Sequence, residues 1–189
     1  LRETNVAYAA VRGDAAAAPH DQVPPLAWSY LSYALATAPE ATSPSARERL
    51  RVGVASWADR LLEYDFPSGM YRDTKAEETC WTAGPLVGAQ VLWPGDPRCR
   101  AWQEKAHRFY LNAYNREEDL WDETVVEGLP VRERVSTANV FPDFTTENHG
   151  AFHPTYQTCI NNYAIPYILY RRHLGRVPAT LTWNWAGLH

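Results

Sequence analysis

Cysteine is scarce in this sequence, and its three cysteines are widely spaced. Cys80, Cys99 and Cys159 contain no Cys-x-x-Cys pair, which excludes a zinc knuckle, and their odd number argues against a disulfide framework. We therefore expect buried thiols that behave as small apolar side chains. The cysteines do not indicate whether the protein functions in a reducing or an oxidising compartment.

Long apolar runs and blocks of like charge are also lacking. The most apolar stretch, residues 163–169, is short and contains Pro166, which argues against a membrane span and predicts a soluble protein. The 22 acidic and 18 basic residues are interspersed and give a formal charge of -4. Nucleic acid is therefore not expected as a partner, because phosphate binding needs clustered Lys and Arg. An anionic ligand would have to be met by a few local cations.

Several sequence signatures of enzymes and of targeting are missing. No Gly-rich phosphate loop, nucleophile elbow or dinucleotide fingerprint is found, which argues against kinases, esterases and Rossmann enzymes. The chain begins at Leu1 without a methionine or a recognisable signal peptide. This predicts a mature form or a piece of a longer protein. Its 189 residues suffice for one core, so we predict a single helical domain over residues 1–189.

Helical periodicity dominates most of the chain. Pro and Gly punctuation separates the periodic segments, and the connections are short. The predicted helices are a tail at 1–11, a helix from Pro24 to about Pro39, one capped by Ser45, one over 75–93 interrupted at Gly84 and Pro85, one from Pro97 to Tyr114 with Asp96 as N-cap, one over 155–174 kinked at Pro166 and ended by Gly175, and a short one from Pro178. This pattern predicts an all-α fold of antiparallel helical hairpins, a partial α/α toroid, with a compact bundle as the alternative.

Residues 115–154 lose the helical period and form a long excursion that is rich in acidic residues, Gly, Pro and Thr. Loops of this length in compact domains are usually functional or disordered. Embedded apolar residues such as Val126, Val131 and Phe141 argue against disorder. We therefore predict a functional loop over 115–154.

The end of this loop concentrates the reactive side chains. Residues 147–156 contain Glu147, Asn148, His149, His153 and Tyr156, with a glycine that permits tight backbone geometry. One interpretation is structural, in which these are capping and hydrogen-bonding groups at a helix entrance. The other is catalytic, because isolated polar residues are commonly structural but such a density is not.

The catalytic interpretation is β-elimination on a uronic acid. That reaction needs a neutralised carboxylate, a base for the C5 proton and an acid for the leaving glycosidic oxygen. Asn148 and His149 are candidates for neutralising the carboxylate, and His149 or His153 for the base. Tyr156 is the candidate acid.

The string Glu147-Asn148-His149-Gly150, followed by an aromatic residue and a helix, resembles the Asn-His-Gly segment of α/α-toroid polysaccharide lyases, the heparinase II/III-like and alginate-lyase-like group. The segment from Glu77 to Ala83, with Pro94-Gly95-Asp96-Pro97 and Trp102, is similar to their toroid helices, although Thr79 stands where an Asn is expected. The resemblance implies a lyase acting on an acidic oligo- or polysaccharide, and a secreted or periplasmic location. It implies that His149 is the neutraliser or base and Asn148 its neighbour; Tyr156 substitutes for a tyrosine that lies farther downstream in the family.

Two other chemistries stay open. A toroid-fold glycoside hydrolase would use a pair of loop carboxylates, drawn from Asp122, Glu123, Asp143 and Glu147. A divalent cation at Glu147, His149 and His153 is the second, although Gly150 and Pro154 argue against the continuous helix that its spacing needs. No cofactor is otherwise predicted.

A non-catalytic carbohydrate-binding or scaffolding domain is the alternative from another class. Aromatic residues make up 13% of the chain, including 8 Trp and 11 Tyr, and flat rings stack on sugars as well as filling cores. We predict Trp81, Trp121, Arg72 and Glu147 as substrate-binding residues. The dipole of a helix accounts for Arg171 and Arg172 at its C-terminus.

Overall fold

The computed structural model describes residues 23–66, 74–148, 150–158 and 163–188. The predicted helix over residues 1–11 lies outside the described residues, as do Arg72, His149 and Cys159. Side chains of Val23, Pro24 and Asn148 are not described either.

Helices make up most of the described structure, which confirms the all-α prediction. The α-helices are α1 (Val23–Thr37), α2 (Pro44–Leu62), α3 (Ala76–Thr82), α4 (Gly84–Leu92), α5 (Cys99–Ala113), α6 (Pro154–Gln157) and α7 (Ala164–Leu169). Single 3-10 turns lie at Pro39–Ala41, Glu117–Trp121, Val131–Glu133, Ala179–Thr182 and Trp185–Gly187, and a π turn, Tyr170–Leu174, follows α7. The toroid arrangement and the single-domain organisation stay predictions.

Two short antiparallel hairpins lie in the long excursion. In the first, β1 (Val125–Val126) pairs with β2 (Leu129–Pro130), with Val126 opposite Leu129. In the second, β3 (Glu147–Asn148) pairs with β4 (Ala151–Phe152), with Asn148 opposite Ala151. Among the apolar residues of the excursion, Val126, Val131 and Val140 are buried.

Two predicted helix starts were wrong. Ser43 rather than Ser45 caps α2, because its hydroxyl accepts from Ala46 N at 3.3 Å and Pro44 takes the first helical position. α5 begins at Cys99 rather than Pro97, since the Asp96 carboxylate holds the preceding turn by accepting from Arg98 N at 2.9 Å.

The predicted helix over 155–174 is broken rather than kinked. α6 ends at Gln157, whose side-chain amide donates to Phe144 O at 3.0 Å, and α7 begins only at Ala164. The break after Thr82 and the helix end at Gly175 were predicted correctly; Gly175 has a φ of 86°, which favours glycine.

The central element is α4, which packs against α1, α2, α5 and α7. Every residue from Gly84 to Gln90 is buried. Its two glycines face the serines of α1: a Cβ on Gly84 would lie 2.1 Å from Ser29 Oγ, and one on Gly88 would lie 2.2 Å from Ser32 Oγ. These contacts set how closely the two helices approach.

Two apolar clusters lie under these elements. The larger one surrounds α4 and includes the fully buried Trp102, whose indole N–H donates to Asp59 Oδ1 at 3.0 Å. The smaller one consists of Leu111, Val126, Val131 and Val135 and holds the first hairpin against α5. Cys80 and Cys99 are thiols rather than halves of a disulfide. In the described part of the chain, none of the helices has the length and apolar character that a bilayer crossing requires.

The Gly88→Ala variant tests the close packing of α4. Helix propensity alone would stabilise this variant by about 1 kcal/mol. We expect the opposite, a loss of about 1–3 kcal/mol in the free energy of unfolding, because the new methyl group overlaps Ser32 in a filled core. Urea unfolding measures the change. Ser56→Ala on the exposed face of α2 is the control and should change little; a Gly88→Ala protein more stable than wild type would contradict the packing described here.

Candidate functional site

A buried hydrogen-bonded seam joins the start of α3 to the second hairpin. Thr74 N donates to Glu147 O at 2.9 Å, and Thr74 Oγ1 donates to Asn139 O at 2.7 Å. Asn139 Oδ1 accepts from Lys75 N at 3.2 Å, while its amide nitrogen donates to Asn112 O at 2.6 Å. Thr74 and Lys75, which precede α3, are thereby joined to β3 and to Asn139. Asn139 is in turn joined to the end of α5.

The first turn of α3 carries two carboxyl groups. Glu77 is buried, with 6% of its surface exposed. Burial first, and the negative charge of Glu78 second, raise the pKa of Glu77 to about 8. Glu78 instead forms an ion pair with Lys75, at 3.4 Å. Glu77 is therefore a neutral acid and a hydrogen-bond donor at neutral pH.

Buried tyrosines line the interior behind Glu77. Cys80 follows Glu77 by one helical turn on the same buried face, and its thiol hydrogen bonds to Tyr163. The Tyr163 hydroxyl also donates to Tyr110 O at 3.4 Å, and its ring lies 6.3 Å from that of Tyr114. Burial raises the pKa of Tyr110 and Tyr163 well above the ordinary value, so these phenols stay protonated.

The second hairpin positions His153 and Tyr156. Gly150 has a φ of 81° at the turn, and its N–H donates to Glu147 Oε1 at 3.0 Å. His153 N donates to Thr146 O at 3.0 Å. The imidazole then meets the Tyr156 ring edge-on, with centroids 4.7 Å apart.

The Tyr156 backbone is fixed from the helical side. Its carbonyl accepts from the Tyr114 hydroxyl at 3.3 Å, so α6 is tied directly to the end of α5. The same Tyr114 ring lies against Tyr163 in the core. The backbones of His153 and Tyr156 are thus held by the second hairpin and by the end of α5.

The predicted site residues lie in different parts of the molecule. Glu147, His153 and Tyr156 lie together on the β3–α6 segment beside α3, and the Asn148 backbone pairs with Ala151 in the same hairpin. Trp81 is half-buried on α3. Trp121 lies apart from them, 80% exposed at the end of the Glu117–Trp121 turn and just before the first hairpin. Arg72 and His149 lie outside the described residues.

No candidate metal site is found among the described residues. Within residues 23–66, 74–148, 150–158 and 163–188, no group of three His, Cys, Asp or Glu side chains is arranged to hold an ion. His149, one member of the predicted metal set, lies beyond those ranges.

The loop carboxylates considered for hydrolysis are engaged locally. Each one caps a turn or pairs with a neighbouring cation rather than facing another carboxylate across a cleft. Asp122 accepts from Thr124 N at 2.7 Å, Glu123 pairs with Arg132 at 2.8 Å, Asp143 accepts from the Thr145 hydroxyl at 2.7 Å, and Glu147 accepts from Gly150 N. These contacts favour the structural interpretation.

Sequence reasoning missed Glu77, Lys75 and Asn139 as site residues. The available signal was the Glu77-Glu78 pair at the head of a segment that becomes apolar and small, because carboxylates are rarely buried without a reason. Nothing in the local pattern around Asn139 indicates its hydrogen bonds, which join segments far apart in the chain.

Comparison with protein-family models, with curated proteins and with solved structures finds no match for this chain. Glu77 supplies a neutral carboxyl donor at the start of α3. His153 and Tyr156 place an imidazole and a phenol in contact on the segment that the Thr74–Glu147 hydrogen bond joins to the start of α3. Those groups can hold an anionic oxygen and move protons without a metal or a nucleophile.

The Glu77→Gln variant tests the buried neutral carboxyl through stability. Folded protein keeps the Glu77 proton up to about pH 8, whereas the ordinary pKa of a glutamate is 4.5. The folded state therefore binds more protons between these values, and the Glu77 contribution to stability is lost as the pH rises through that window. We expect the free energy of unfolding of wild type, relative to Glu77→Gln, to fall with a slope approaching about 1.4 kcal/mol per pH unit.

Urea unfolding at a series of pH values measures this slope. Glu40→Gln, an exposed glutamate in the turn after α1, is the matched control and should run parallel to wild type. Parallel curves for wild type and Glu77→Gln would show that Glu77 ionises normally.

Proposed function

We propose that this protein is a polysaccharide lyase that cleaves uronic-acid-containing glycans by β-elimination. The supporting observation is the buried carboxyl of Glu77, kept neutral on α3 and joined through Thr74 to the segment that holds His153 and Tyr156. The resemblance of residues 147–150 to toroid lyases points the same way. The active site is the junction of α3 with the second hairpin.

The reaction assigns one task to each group. Glu77, with Asn148, donates hydrogen bonds to the uronate carboxylate, which stabilises the negative charge that develops when the C5 proton leaves. His149 or His153 takes that proton. The C4–O bond breaks, a C4–C5 double bond forms, and Tyr156 returns a proton to the leaving glycosidic oxygen.

A lyase is preferred to a hydrolase because of how the carboxyl groups of the described residues are placed. Hydrolysing glycosidases need two carboxyl groups about 5–9 Å apart, one on each side of the scissile bond. Glu77 and Glu78 are consecutive residues of α3 whose charges interact, an arrangement unlike two carboxyl groups on opposite sides of a sugar. The loop carboxylates have local partners instead.

One observation favours the binding-module alternative. Trp121 exposes 80% of its surface, and an exposed indole is a platform for a sugar ring. A module would keep its glycan affinity after both His149 and His153 are replaced by Ala. An enzyme would lose turnover with the same double change.

The ultraviolet absorbance of newly formed unsaturated uronate tests the chemistry. We expect wild type to produce it from at least one polymer in a panel of uronic-acid polysaccharides. Tyr156→Phe should lower the rate by about 10²–10⁴-fold, because the leaving oxygen loses its proton donor, and His149→Ala should abolish it. Tyr30→Phe, an exposed tyrosine on α1, is the control. Reducing ends released by folded protein without any absorbance change would identify a hydrolase and overturn the proposal.

The pH dependence of the same assay tests the role of Glu77. Ionisation of Glu77 removes its donor proton, so the rate should fall above about pH 8. Glu77→Gln keeps a neutral donor and should retain activity while losing this alkaline limb; Glu40→Gln should keep it. A Glu77→Gln protein that is inactive at every pH would mean that Glu77 transfers a proton itself.

A further inference from the structure

We propose that the exposed side chains at the end of α7, namely Tyr167, Arg171, Arg172 and His173, form a second binding surface for an anionic polysaccharide. We call it the Arg171 surface. It lies on a different element from Glu77, His153 and Tyr156. The choice of a polysaccharide as ligand rests on the proposed function.

Unneutralised charge is the first observation. Arg171, Arg172 and His173 are all exposed, and none forms a salt bridge or hydrogen bond with any described residue. Other arginines form ion pairs: Arg51 with Glu48, Arg98 with Asp59 and Asp96, Arg116 with Glu118 and Asp119, Arg132 with Glu123, Arg134 with Glu104, and Arg176 with Glu127. Two consecutive guanidinium groups, with the His173 imidazole beside them, are therefore exposed to a ligand.

A rigid base beneath the cations is the second observation. Leu169 and Tyr170 are buried directly before them, and the Tyr170 ring contacts Tyr110 of α5 at 6.4 Å between centroids. The cations sit on the π turn Tyr170–Leu174, a rare geometry that occurs mostly as single turns, frequently at functional sites. The backbone under the surface is thus held by the core.

An exposed aromatic ring on the same face is the third observation. Tyr167 is 41% exposed and precedes Arg171 by four residues, the spacing of neighbours on a helix surface. A phenol ring covers the apolar face of a sugar, while a guanidinium binds a carboxylate or sulfate through two parallel hydrogen bonds. Together they match a charged sugar better than either does alone.

The charge of the whole protein makes such a local surface necessary. A formal charge of -4 does not attract a polyanion from a distance, so affinity has to come from nearby cations. A polymer that contacts this surface is held on the protein while a short segment reacts. Nucleic acid is a poorer match, because its footprint needs basic residues over a longer stretch.

A charge-reversal pair with a matched control tests the surface. Arg171→Glu with Arg172→Glu is compared with Arg49→Glu plus Arg100→Glu, two exposed arginines on α2 and α5 that undergo the same charge change. Binding of the full chain to polygalacturonate is measured by affinity electrophoresis at several salt concentrations, in the Tyr156→Phe background so that the polymer stays intact. Neutral dextran and single-stranded DNA are the comparison polymers.

We expect the Arg171/Arg172 pair to weaken polygalacturonate binding by about tenfold or more and to make its salt dependence shallower, while the control pair changes it by less than about twofold. Tyr167→Ala should weaken binding at high salt as well, since stacking is not screened. Equal losses in the two pairs, no loss in either, or equally strong Arg171-dependent binding of DNA would each overturn the proposal.

Activity separates this proposal from the proposed function. In the otherwise unchanged protein, the Arg171/Arg172 pair should raise KM for the polymer, leave kcat unchanged and leave turnover of short oligosaccharides unaffected. Arg171-dependent binding without any unsaturated product would sink the lyase and keep the surface. Normal lyase activity with unchanged polymer affinity would overturn the Arg171 surface and keep the lyase.

Discussion

The contact between α4 and α1 is the constraint on which the packing of the other helices depends. α4 is surrounded by α1, α2, α5 and α7, so it has no solvent face on which a larger residue could be placed. Gly88 lets the serine side of α1 approach, and the hydroxyl of Ser32 donates back to Trp28 O at 2.7 Å, which satisfies it inside the core. The close approach therefore leaves the Ser32 hydroxyl hydrogen bonded inside the core. It also constrains where α3 and α5, which precede and follow α4 in the chain, can pack.

Asn139 is one of the residues that join the long excursion to that helical frame. Asn139 uses both side-chain amide atoms and both backbone polar atoms: its N–H donates to Asn115 O at 3.0 Å, in addition to its bonds with Thr74, Lys75 and Asn112. A fully satisfied buried amide holds its neighbours in one arrangement, because every alternative leaves donors or acceptors unpaired in the interior. The loop thereby acquires the rigidity of the helices, which is what a site assembled from loop residues requires.

The sequence predicted the helices well and the site only in part, and the difference has a physical basis. Apolar periodicity and Pro or Gly breaks are local, so they predicted α1, the break at Gly84 and the helix end at Gly175. Boundaries failed where a side chain competes for backbone donors, as Asp96 does before α5. The density of reactive groups in 147–156 predicted where His153 and Tyr156 gather. The Glu77-Glu78 pair gave a local signal, but the burial of Glu77 itself could not be predicted, because it arises from residues that come together only in the folded chain.

Burial also explains how the two proposed sites divide the recognition of one polymer. A carboxylate that must be activated for proton loss has to leave water, and a neutral donor such as Glu77 can meet it there without the desolvation penalty that a buried cation would carry. Lys75 is engaged by Glu78, so the positive charge is already balanced beside the site. Holding the rest of the polymer has the opposite requirement: contacts must form and break quickly as the chain moves, which suits exposed guanidinium groups whose attraction is weakened by salt and water. In the proposed lyase, a neutral donor at the point of reaction and exposed guanidinium groups away from it would thus let an acidic protein hold and cleave a polyanion.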